Sequence, residues 1–364
     1  MINVAGNGSV FETRVIYSEI ESAFQATSLI IIMGVAILTN IFNITVVYLN
    51  YSMQTPRYMF IINLAGGDLG VALLSMPFCL VTSIARDWVF GSAFCQLHGF
   101  LGSLFFCVSI FTLTIMSIEQ YHALVKPLSR AINIRRAWYM IALVWSLSVL
   151  VSIQPIFGWG HFSFNSSTLA CGVSFPKRVT ERLYLLLLVL LAFVTPLLIM
   201  GYAYIRIFIA VQKHSIRIAQ YTKGGQEVIR LQRRITFTLL LVLIVFLLCW
   251  MPFVILIVLA SSRQDVLQLP WGLGVAAYWC GFFNSALNPI IFVIRNDKFR
   301  EGYIEILSCL WGCIRCRDII VFKKGRRRSW QLSRSMKRAR PSIVLGSVKR
   351  FAPPQELVNE EGDS

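Results

Sequence analysis

The chain has 364 residues, of which 56% are hydrophobic and only 14% are charged. Soluble domains carry about 25% charged residues, so this composition, with a mean hydropathy of +0.67, excludes an ordinary soluble protein and indicates a membrane protein. The net charge of +17 does not indicate nucleic acid as a partner, because the basic residues lie between and after the apolar segments, where they suit loops beside an anionic membrane surface.

Seven apolar segments follow one another along the chain, and each has about 20 or more predominantly apolar residues, the length that crosses a bilayer as a helix. We name them spans one to seven, with the bounds 27–49, 57–84, 92–124, 136–157, 182–212, 233–261 and 269–294. They predict an all-α membrane protein, a seven-transmembrane helix bundle at 27–308, between an N-terminal segment at 1–26 and a basic cytoplasmic tail at 309–364.

The distribution of Lys and Arg predicts the orientation of the bundle. Basic residues are concentrated in the loops after spans three and five and in the tail, whereas the loops at 85–91 and 262–268 carry one Arg each. We therefore expect a multi-pass protein of the plasma membrane with its N-terminus outside the cell. Asn7 and Asn165 begin Asn-X-Ser triplets in the predicted outer segments, which makes them candidates for glycosylation.

A short amphipathic eighth helix is predicted after span seven, where Phe299, Tyr303, Ile306 and Leu307 share one face and charges occupy the other. Such a helix lies along the inner membrane surface.

The tail begins with three cysteines that are either palmitoylation sites or free cytosolic thiols: Cys309, Cys313 and Cys316. The stretch beyond them is dense in positive charge, so we expect it to be disordered and attracted to anionic lipids of the plasma membrane. Ser329 follows three arginines and resembles a phosphorylation site of a basophilic kinase, where a phosphate would weaken that attraction.

Few polar residues lie inside the spans, and each is costly there unless it is paired. Asp68 is the one acid within a span away from its ends, and the other members of this set are Asn40, Ser109, Asn284 and Asn288. They either form interhelical hydrogen bonds that hold the bundle together or build a functional site. The sequence shows no nucleophile–base set and no metal-type spacing, so no enzyme activity is predicted.

Several short motifs occur along the spans in a fixed order. They are Asn40 in span one, Leu64-Ala65-Gly66-Gly67-Asp68 in span two, Trp88 with Cys95, Trp145, Pro196 with Tyr204, Cys249-Trp250-Met251-Pro252 in span six, and Asn284-Ser285-Ala286-Leu287-Asn288-Pro289 in span seven. By these motifs the chain, over about residues 27–308, resembles the rhodopsin-like (class A) family of G-protein-coupled receptors, with faint features of melatonin receptors and opsins.

The resemblance implies roles for particular residues. It implies a disulfide between Cys95 and Cys171, which fits an oxidising exterior. It implies an allosteric sodium pocket formed by Asp68, Ser109, Asn284 and Asn288, with no other cofactor. It implies an activation switch formed by Ile110, Pro196, Phe246, Trp250, Pro252, Tyr204 and the residue at position 292.

The resemblance also places a ligand pocket among Ser103, Phe106, Trp250, Phe253 and Tyr278. Gly102 stands where amine receptors carry an aspartate, and Phe282 stands where opsins carry the retinal lysine. Both replacements favour a small uncharged or lipid-like ligand that is bound without a covalent link. His98 is expected at the rim of the pocket rather than as an anchor for the ligand.

Two departures from the family pattern concern the signalling end. The motif Glu119-Gln120-Tyr121 on the expected G-protein face has glutamine in place of the family's arginine, and the usual acidic partner in span six is replaced by Gln232. Glutamine cannot form a charge-assisted ion pair. Phe292 replaces the tyrosine whose hydroxyl would meet Tyr204.

The leading hypothesis is therefore a receptor that passes an extracellular ligand signal to a heterotrimeric G protein and also engages arrestin. The alternative is an atypical receptor that couples weakly to G proteins and scavenges ligand, recruits arrestin or signals constitutively. A transporter or channel is not favoured, because there is one mid-span acid and no internal repeat.

Overall fold

The structure is a computed structural model that describes residues 2–4, 12–14, 18–125, 132–166, 168–174, 176, 178–218, 223–262 and 271–310. Within these ranges the side chains of 2–4, 12–14, 213–218, 223–233, 260–262, 271 and 310 are not described. By internal contacts the chain divides into Met1–Cys313 and Ile314–Ser364, and every described residue lies in the first unit.

The described part of the chain contains seven helical spans that are long and apolar enough to cross a membrane: Glu19–Leu49, Pro56–Ala85, Gly91–Val125, Ile134–Phe157, Val179–Gln212, Arg234–Leu259 and Gly272–Arg295. Each predicted span overlaps one of them, so the predicted seven-helix fold is confirmed. We call the end of the bundle that carries Cys95 the outer end and the end that carries Gln120 the inner end, following the orientation predicted from the sequence.

The helices that build these spans are α1 (Glu19–Leu49), α2 (Pro56–Leu74), α3 (Met76–Ala85), α4 (Gly91–Val125), α5 (Ile134–Ser152), α6 (Val179–Val189), α7 (Thr195–Ile218), α8 (Lys223–Ser262) and α9 (Trp271–Arg295). Spans two and five each consist of two helices, α2 with α3 and α6 with α7, and α10 (Asp297–Leu310) follows span seven. The strands are β1 (Ile2–Val4) paired with β2 (Glu12–Arg14), and β3 (Phe162–Asn165) paired with β4 (Ala170–Val173), both antiparallel.

Span one begins earlier than the apolar pattern predicts, because the polar residues before it form a capping box. The Ser18 side chain accepts a hydrogen bond from the Glu21 backbone, and the Glu21 carboxylate accepts one from the Ser18 backbone. This reciprocal cap satisfies two amide groups at the start of the helix. The helix therefore starts at Glu19, although hydrophobicity alone places the start at residue 27.

Prolines follow the irregular turns of two spans. Span two is interrupted at Ser75, between α2 and α3, and Pro77 occupies the first turn of α3. Span five contains a π-helical turn at Leu190–Val194, which ends two residues before Pro196. A proline removes a backbone donor and crowds the preceding turn, which accounts for both irregularities. Both positions adjoin the site described below.

The large apolar side chains that face outward lie along the spans, as expected where lipid takes the place of water. Trp138, Leu198 and Leu248 are 61%, 69% and 68% exposed, respectively. The interior is built around Ile110 and Phe246, which have no exposed surface. An outward face this apolar suits a bilayer core and would be unfavourable in water.

The amphipathic helix α10 is present after span seven, as predicted. Phe299 is fully buried and stacks on Phe292 of span seven, with 6.0 Å between ring centroids. The Tyr303 hydroxyl lies 2.7 Å from the carbonyl oxygen of Thr39, and Gly302 leaves room for Val46 of span one. The buried face of α10 is thus held against the inner ends of spans one and seven.

Candidate functional site

The paired strands β3 and β4 pack on the outer end of span three. We call this pair of strands the lid. Cys95 and Cys171 form the predicted disulfide, which is confirmed. Gln96 donates from Nε2 to the carbonyl oxygen of Phe162 at 2.6 Å. Gly99 is required beneath the lid, because a Cβ there would lie 2.5 Å from the Phe162 ring. The lid is therefore bound to span three by a covalent bond, a hydrogen bond and close packing.

His98 lies beneath the lid and is 2% exposed, so the expectation that it would be a rim residue is wrong. Its Nδ1 is 3.2 Å from the carbonyl oxygen of Cys171, and its Nε2 is 3.3 Å from the Ser75 hydroxyl. Nε2 is also 3.3 Å from the Ser75 carbonyl oxygen, so each ring nitrogen faces a carbonyl, and a proton on either nitrogen finds an acceptor. His98 thereby connects the lid to the break in span two.

A cavity lies below the lid, between spans two, three, five, six and seven. All five predicted pocket residues line it: Ser103, Phe106, Trp250, Phe253 and Tyr278. Ser75 and His98 also line it, and sequence reasoning did not place them there. Gly102 and Phe282 are further lining residues, and no described lining residue carries a formal charge when His98 is neutral.

Tyr278 meets the lid at its strand β4. A Cβ added at Gly172 would lie 2.1 Å from the Tyr278 hydroxyl oxygen and 3.4 Å from its ring carbon. The lid can therefore approach span seven only because Gly172 has no side chain. Gly281 of span seven lies close to the Trp250 ring, since a Cβ there would be 3.3 Å from the nearest ring carbon.

Aromatic rings connect the floor of the cavity to the core of the bundle. The Phe106 ring lies 4.1 Å from that of Trp250 and 6.3 Å from that of Phe246, between centroids. Phe246 belongs to the same buried cluster as Ile110, and Pro196 is buried in span five. A ligand that moves the Trp250 ring would therefore press directly on the packing between spans three and six.

The Trp250 ring also carries a polar group that lacks a partner. Its Nε1 is buried and makes no hydrogen bond with the described residues. Because a buried donor without a partner costs about 1–3 kcal/mol, a ligand that accepts from it would gain affinity.

The mid-span acid Asp68 is completely buried, and two of the predicted polar residues, Asn288 and Ser109, contact its carboxylate. Asn288 donates from Nδ2 to Asp68 Oδ2 at 3.1 Å, and the hydroxyls of Ser109 and Ser285 lie beside the same carboxylate. Three buried oxygens have no hydrogen-bond partner among the described residues: Asp68 Oδ1, Asn284 Oδ1 and Asn288 Oδ1. A set of oxygen donors of this kind is what a hard cation requires. Ser285 was not singled out from the sequence.

A second polar link, which sequence reasoning missed, joins spans two, three and four. Asn63 donates from Nδ2 to Thr112 Oγ1 at 2.8 Å and accepts from Trp145 Nε1 at 3.0 Å. Both groups of its amide are thus paired inside the bundle, so Asn63 is explained by interhelical packing.

The inner end of the bundle brings together residues of spans two, three and six. Arg57, at the start of span two, donates to Glu119 and to Gln120 of span three. Gln120 also donates to Thr236 of span six. Tyr121 follows on the same helix, with its ring 6.2 Å from that of Tyr202. Arg57 was not predicted, because nothing in its local sequence pattern indicates its partner on another span.

Phe292 has no hydroxyl to offer Tyr204, and its ring stacks on that of Phe299 in α10. Tyr204 lines a groove between spans five and six, together with Phe208 and Thr236. The described parts of the predicted switch therefore lie at two levels. Ile110, Phe246 and Trp250 are packed together, whereas Tyr204 and Phe292 lie nearer the inner end.

The inner end of span six is joined to α10 by an ion pair. Arg234 Nη2 donates to Asp297 Oδ1 at 3.0 Å, and Nη1 contacts the other carboxylate oxygen. The hydrogen bond from Arg234 holds the pKa of Asp297 below its ordinary value, and Arg300 adds to the effect. More than a third of each side chain is exposed to solvent, so this ion pair contributes little to stability and mainly orients the two helices. The side chain of Gln232 is outside the described part of the chain.

The predicted modification sites fall at the edges of the described structure. Asn165 ends strand β3 of the lid. Cys309 lies in the last turn of α10 and is disulfide-bonded in the structure, so its acylation requires the reduced thiol. Asn7, Cys313, Cys316 and Ser329 lie outside the described residues.

Comparison with known proteins agrees with this architecture. The family model described as "7 transmembrane receptor (rhodopsin family)" matches residues 39–292. The chain is 31% identical over 302 residues to "Rhodopsin, GQ-coupled" of Mizuhopecten yessoensis, covering 77% of this chain and 59% of the relative. It is 30% identical over 298 residues to "Melatonin receptor type 1B" of Rattus norvegicus, covering 80% of this chain and 79% of the relative.

A solved structure described as "Crystal structure of squid rhodopsin" matches with a TM-score of 0.73 and 25% sequence identity, covering 93% of this chain and 99% of that chain. The chain spans about three fifths of the length of the first rhodopsins that it matches.

Seven spans around a lidded apolar cavity, with a polar cluster at the opposite end, define a multi-pass membrane receptor. The chain belongs to the rhodopsin-like (class A) family of G-protein-coupled receptors. This is a family of receptors rather than of enzymes.

Proposed function

We propose that this chain is a plasma-membrane receptor, with its N-terminus outside the cell, that binds a small uncharged or lipid-like ligand below the lid and signals to a heterotrimeric G protein. The observation that carries the proposal is the contact of the cavity floor with the core, through Phe106, Trp250 and Phe246. A ligand in this cavity can bias two packings of the same rings, and such a bias is what couples binding to a conformational change.

The lining of the cavity supports an uncharged ligand. Its walls are apolar or aromatic apart from a few polar groups, among them Ser75, Ser103 and the Tyr278 hydroxyl. A cationic ligand would lose its hydration there without gaining a counter-ion from Gly102. A retinal Schiff base, which needs an amine, has none at Phe282. Melatonin, named by one of the relatives, is an uncharged aromatic molecule of this general class.

The proposal is tested by a ligand screen in cells that express the full chain, with G-protein dissociation and arrestin recruitment recorded in parallel. Hits should be uncharged aromatic or lipid-like molecules, and Trp250→Leu should lower their potency about tenfold or more, since it removes a large part of the cavity floor. Trp138→Leu, a change of the same size on the outward face, should leave potency unchanged. Hits confined to charged amines, or equal effects of both variants, would contradict the proposal.

The oxygens around Asp68 support an allosteric sodium ion as part of this function. Sodium is held by oxygen donors, and three unpartnered buried oxygens are available, among them Asp68 Oδ1. Sodium chloride should therefore raise the thermal unfolding midpoint of the purified receptor above its value in potassium chloride of the same ionic strength. Asp68→Asn should abolish that difference. A sodium-specific shift that persists in the variant would place the ion elsewhere.

The alternative, an atypical receptor with weak G-protein coupling, is favoured by two observations at the inner end. Gln120 is buried as a neutral amide, and the ring of Phe292 is stacked on that of Phe299. In the screen described above this alternative predicts ligand-dependent arrestin recruitment without G-protein dissociation. Contact of α10 and the basic tail with anionic lipids, and acylation of the tail cysteines, fit either function.

A further inference from the structure

The carboxamide of Gln120 has partners on two different spans. Its Oε1 accepts from Arg57 Nη2 at 2.6 Å, and its Nε2 donates to Thr236 Oγ1 at 3.4 Å. The side chain has no exposed surface. Because an amide has one accepting and one donating end, the partner of the oxygen fixes where the nitrogen points. Arg57 on span two therefore directs the Gln120 amide toward span six.

The same guanidinium also holds Glu119, the residue before Gln120. Arg57 Nε donates to Glu119 Oε2 at 3.2 Å, and Nη2 lies 3.4 Å from Oε1. The two side chains are 21% and 13% exposed, so water and salt screen this pair less than a surface pair. A planar guanidinium can serve a carboxylate and an amide oxygen together, which a lysine ammonium on a flexible stem does less well.

The position of Arg57 is unfavourable for its own helix. It is the second residue of α2, within the first turn, where the helix dipole favours negative side chains. Its contacts with span three offset this local cost.

We propose that Arg57 is a positioning residue of the signalling end, which holds Glu119 and directs the Gln120 amide to Thr236. The hydrogen bond between Gln120 of span three and Thr236 of span six then depends on a cation of span two. The signalling part of this inference rests on the proposed function, whereas the clamp itself, meaning the contacts of Arg57 with Glu119 and Gln120, does not. An arginine at position 120 would remove the oxygen that accepts from Arg57 Nη2 and would place a second positive charge beside Arg57.

The clamp is tested by thermal unfolding of the purified full-length receptor and three variants: Arg57→Gln, Gln120→Arg and the double exchange of both. Gln120→Arg should lower the unfolding midpoint by about 4 °C or more, and the double exchange should recover most of that loss, because it restores one cation facing one carboxylate. Arg135→Gln, which removes an exposed cation at the start of span four, should change the midpoint little. A Gln120→Arg variant as stable as the wild type, or a double exchange no better than Gln120→Arg, would overturn the clamp.

The positioning role is tested by ligand-independent G-protein dissociation, normalised to the amount of receptor at the cell surface. Arg57→Gln and Thr236→Val should each raise it about twofold to tenfold, the ratio expected from the loss of one hydrogen bond. The double variant should show no further rise, because both changes break the same connection. A fully additive rise, or no rise in a receptor whose ligand response is intact, would leave Arg57 a structural residue only and refute its positioning role.

The two tests separate the inference from the function on which it rests. If the double exchange recovers the unfolding midpoint as expected, while no variant and no ligand dissociates a G protein, the proposed function fails and the clamp stands. If ligands drive G-protein dissociation, while the double exchange is no more stable than Gln120→Arg, the clamp fails and the proposed function stands.

Discussion

Replacing Gly172 by alanine is expected to lower the potency of ligands that act in the cavity about tenfold or more, and adding Tyr278→Phe is expected to restore it. The alanine Cβ would lie 2.1 Å from the Tyr278 hydroxyl oxygen but 3.4 Å from the nearest ring carbon. The conflict therefore involves the hydroxyl alone. Overpacking of this kind costs about 1–3 kcal/mol, which corresponds to roughly 5- to 150-fold in an equilibrium.

The control for Gly172→Ala is a glycine at which an added Cβ would contact no other residue. Gly34 in span one has no heavy atom within 4 Å of its Cβ position, so Gly34→Ala should leave potency unchanged. Concentration–response curves for Gly172→Ala, Tyr278→Phe and the double variant then measure the coupling directly. Equal potency of Gly172→Ala and the wild type would show that the lid does not lie against Tyr278. Failure of Tyr278→Phe to rescue would show that the hydroxyl is not the obstacle.

Replacing His98 by leucine is expected to destabilise the outer end and to reduce ligand potency together. Leucine fills much of the same space but leaves the Cys171 carbonyl and the Ser75 hydroxyl without the partner that the ring supplies. An unpaired buried polar group costs about 1–3 kcal/mol. We expect the thermal unfolding midpoint to fall by roughly 2–10 °C for a chain of this size.

His98→Gln separates the hydrogen bonds from the shape of the side chain, because an amide retains a donor and an acceptor. It should recover part of the stability and part of the potency. Leu97→Ala is the matched control, since Leu97 is adjacent in sequence but 45% exposed on the outward face. If His98→Leu unfolds at the same temperature as the wild type, the histidine does not connect the lid to span two.

Much of the fold follows from the sequence, because the signals involved are local. Apolar runs of bilayer length identify the seven spans, and the spacing of Phe299 and Tyr303 identifies the buried face of α10. The disulfide came from the family resemblance, since nothing in the spacing of nine cysteines selects Cys95 with Cys171. The early start of span one escaped prediction because its cap at Ser18 is polar, and hydrophobicity does not report it.

The parts of the site that escaped prediction depend on contacts between distant segments. His98 reads as a rim residue because it lies three residues after Cys95, and its burial appears only when the lid folds over it. Arg57 reads as an ordinary basic residue at a membrane interface, and its function depends on Glu119 and Gln120, more than 60 positions away. Gln120 alone suggests a lost interaction, whereas the structure shows a different one in its place.

The most direct test of the central claim, that a ligand below the lid drives signalling at the inner end, is nucleotide exchange on a purified heterotrimeric G protein. The receptor is reconstituted in lipid nanodiscs and exchange is measured with and without a ligand found in the cellular screen. We predict that the ligand accelerates exchange and that Trp250→Leu removes the acceleration while Trp138→Leu preserves it. A ligand that binds the reconstituted receptor in the cavity but leaves the exchange rate unchanged would contradict the account.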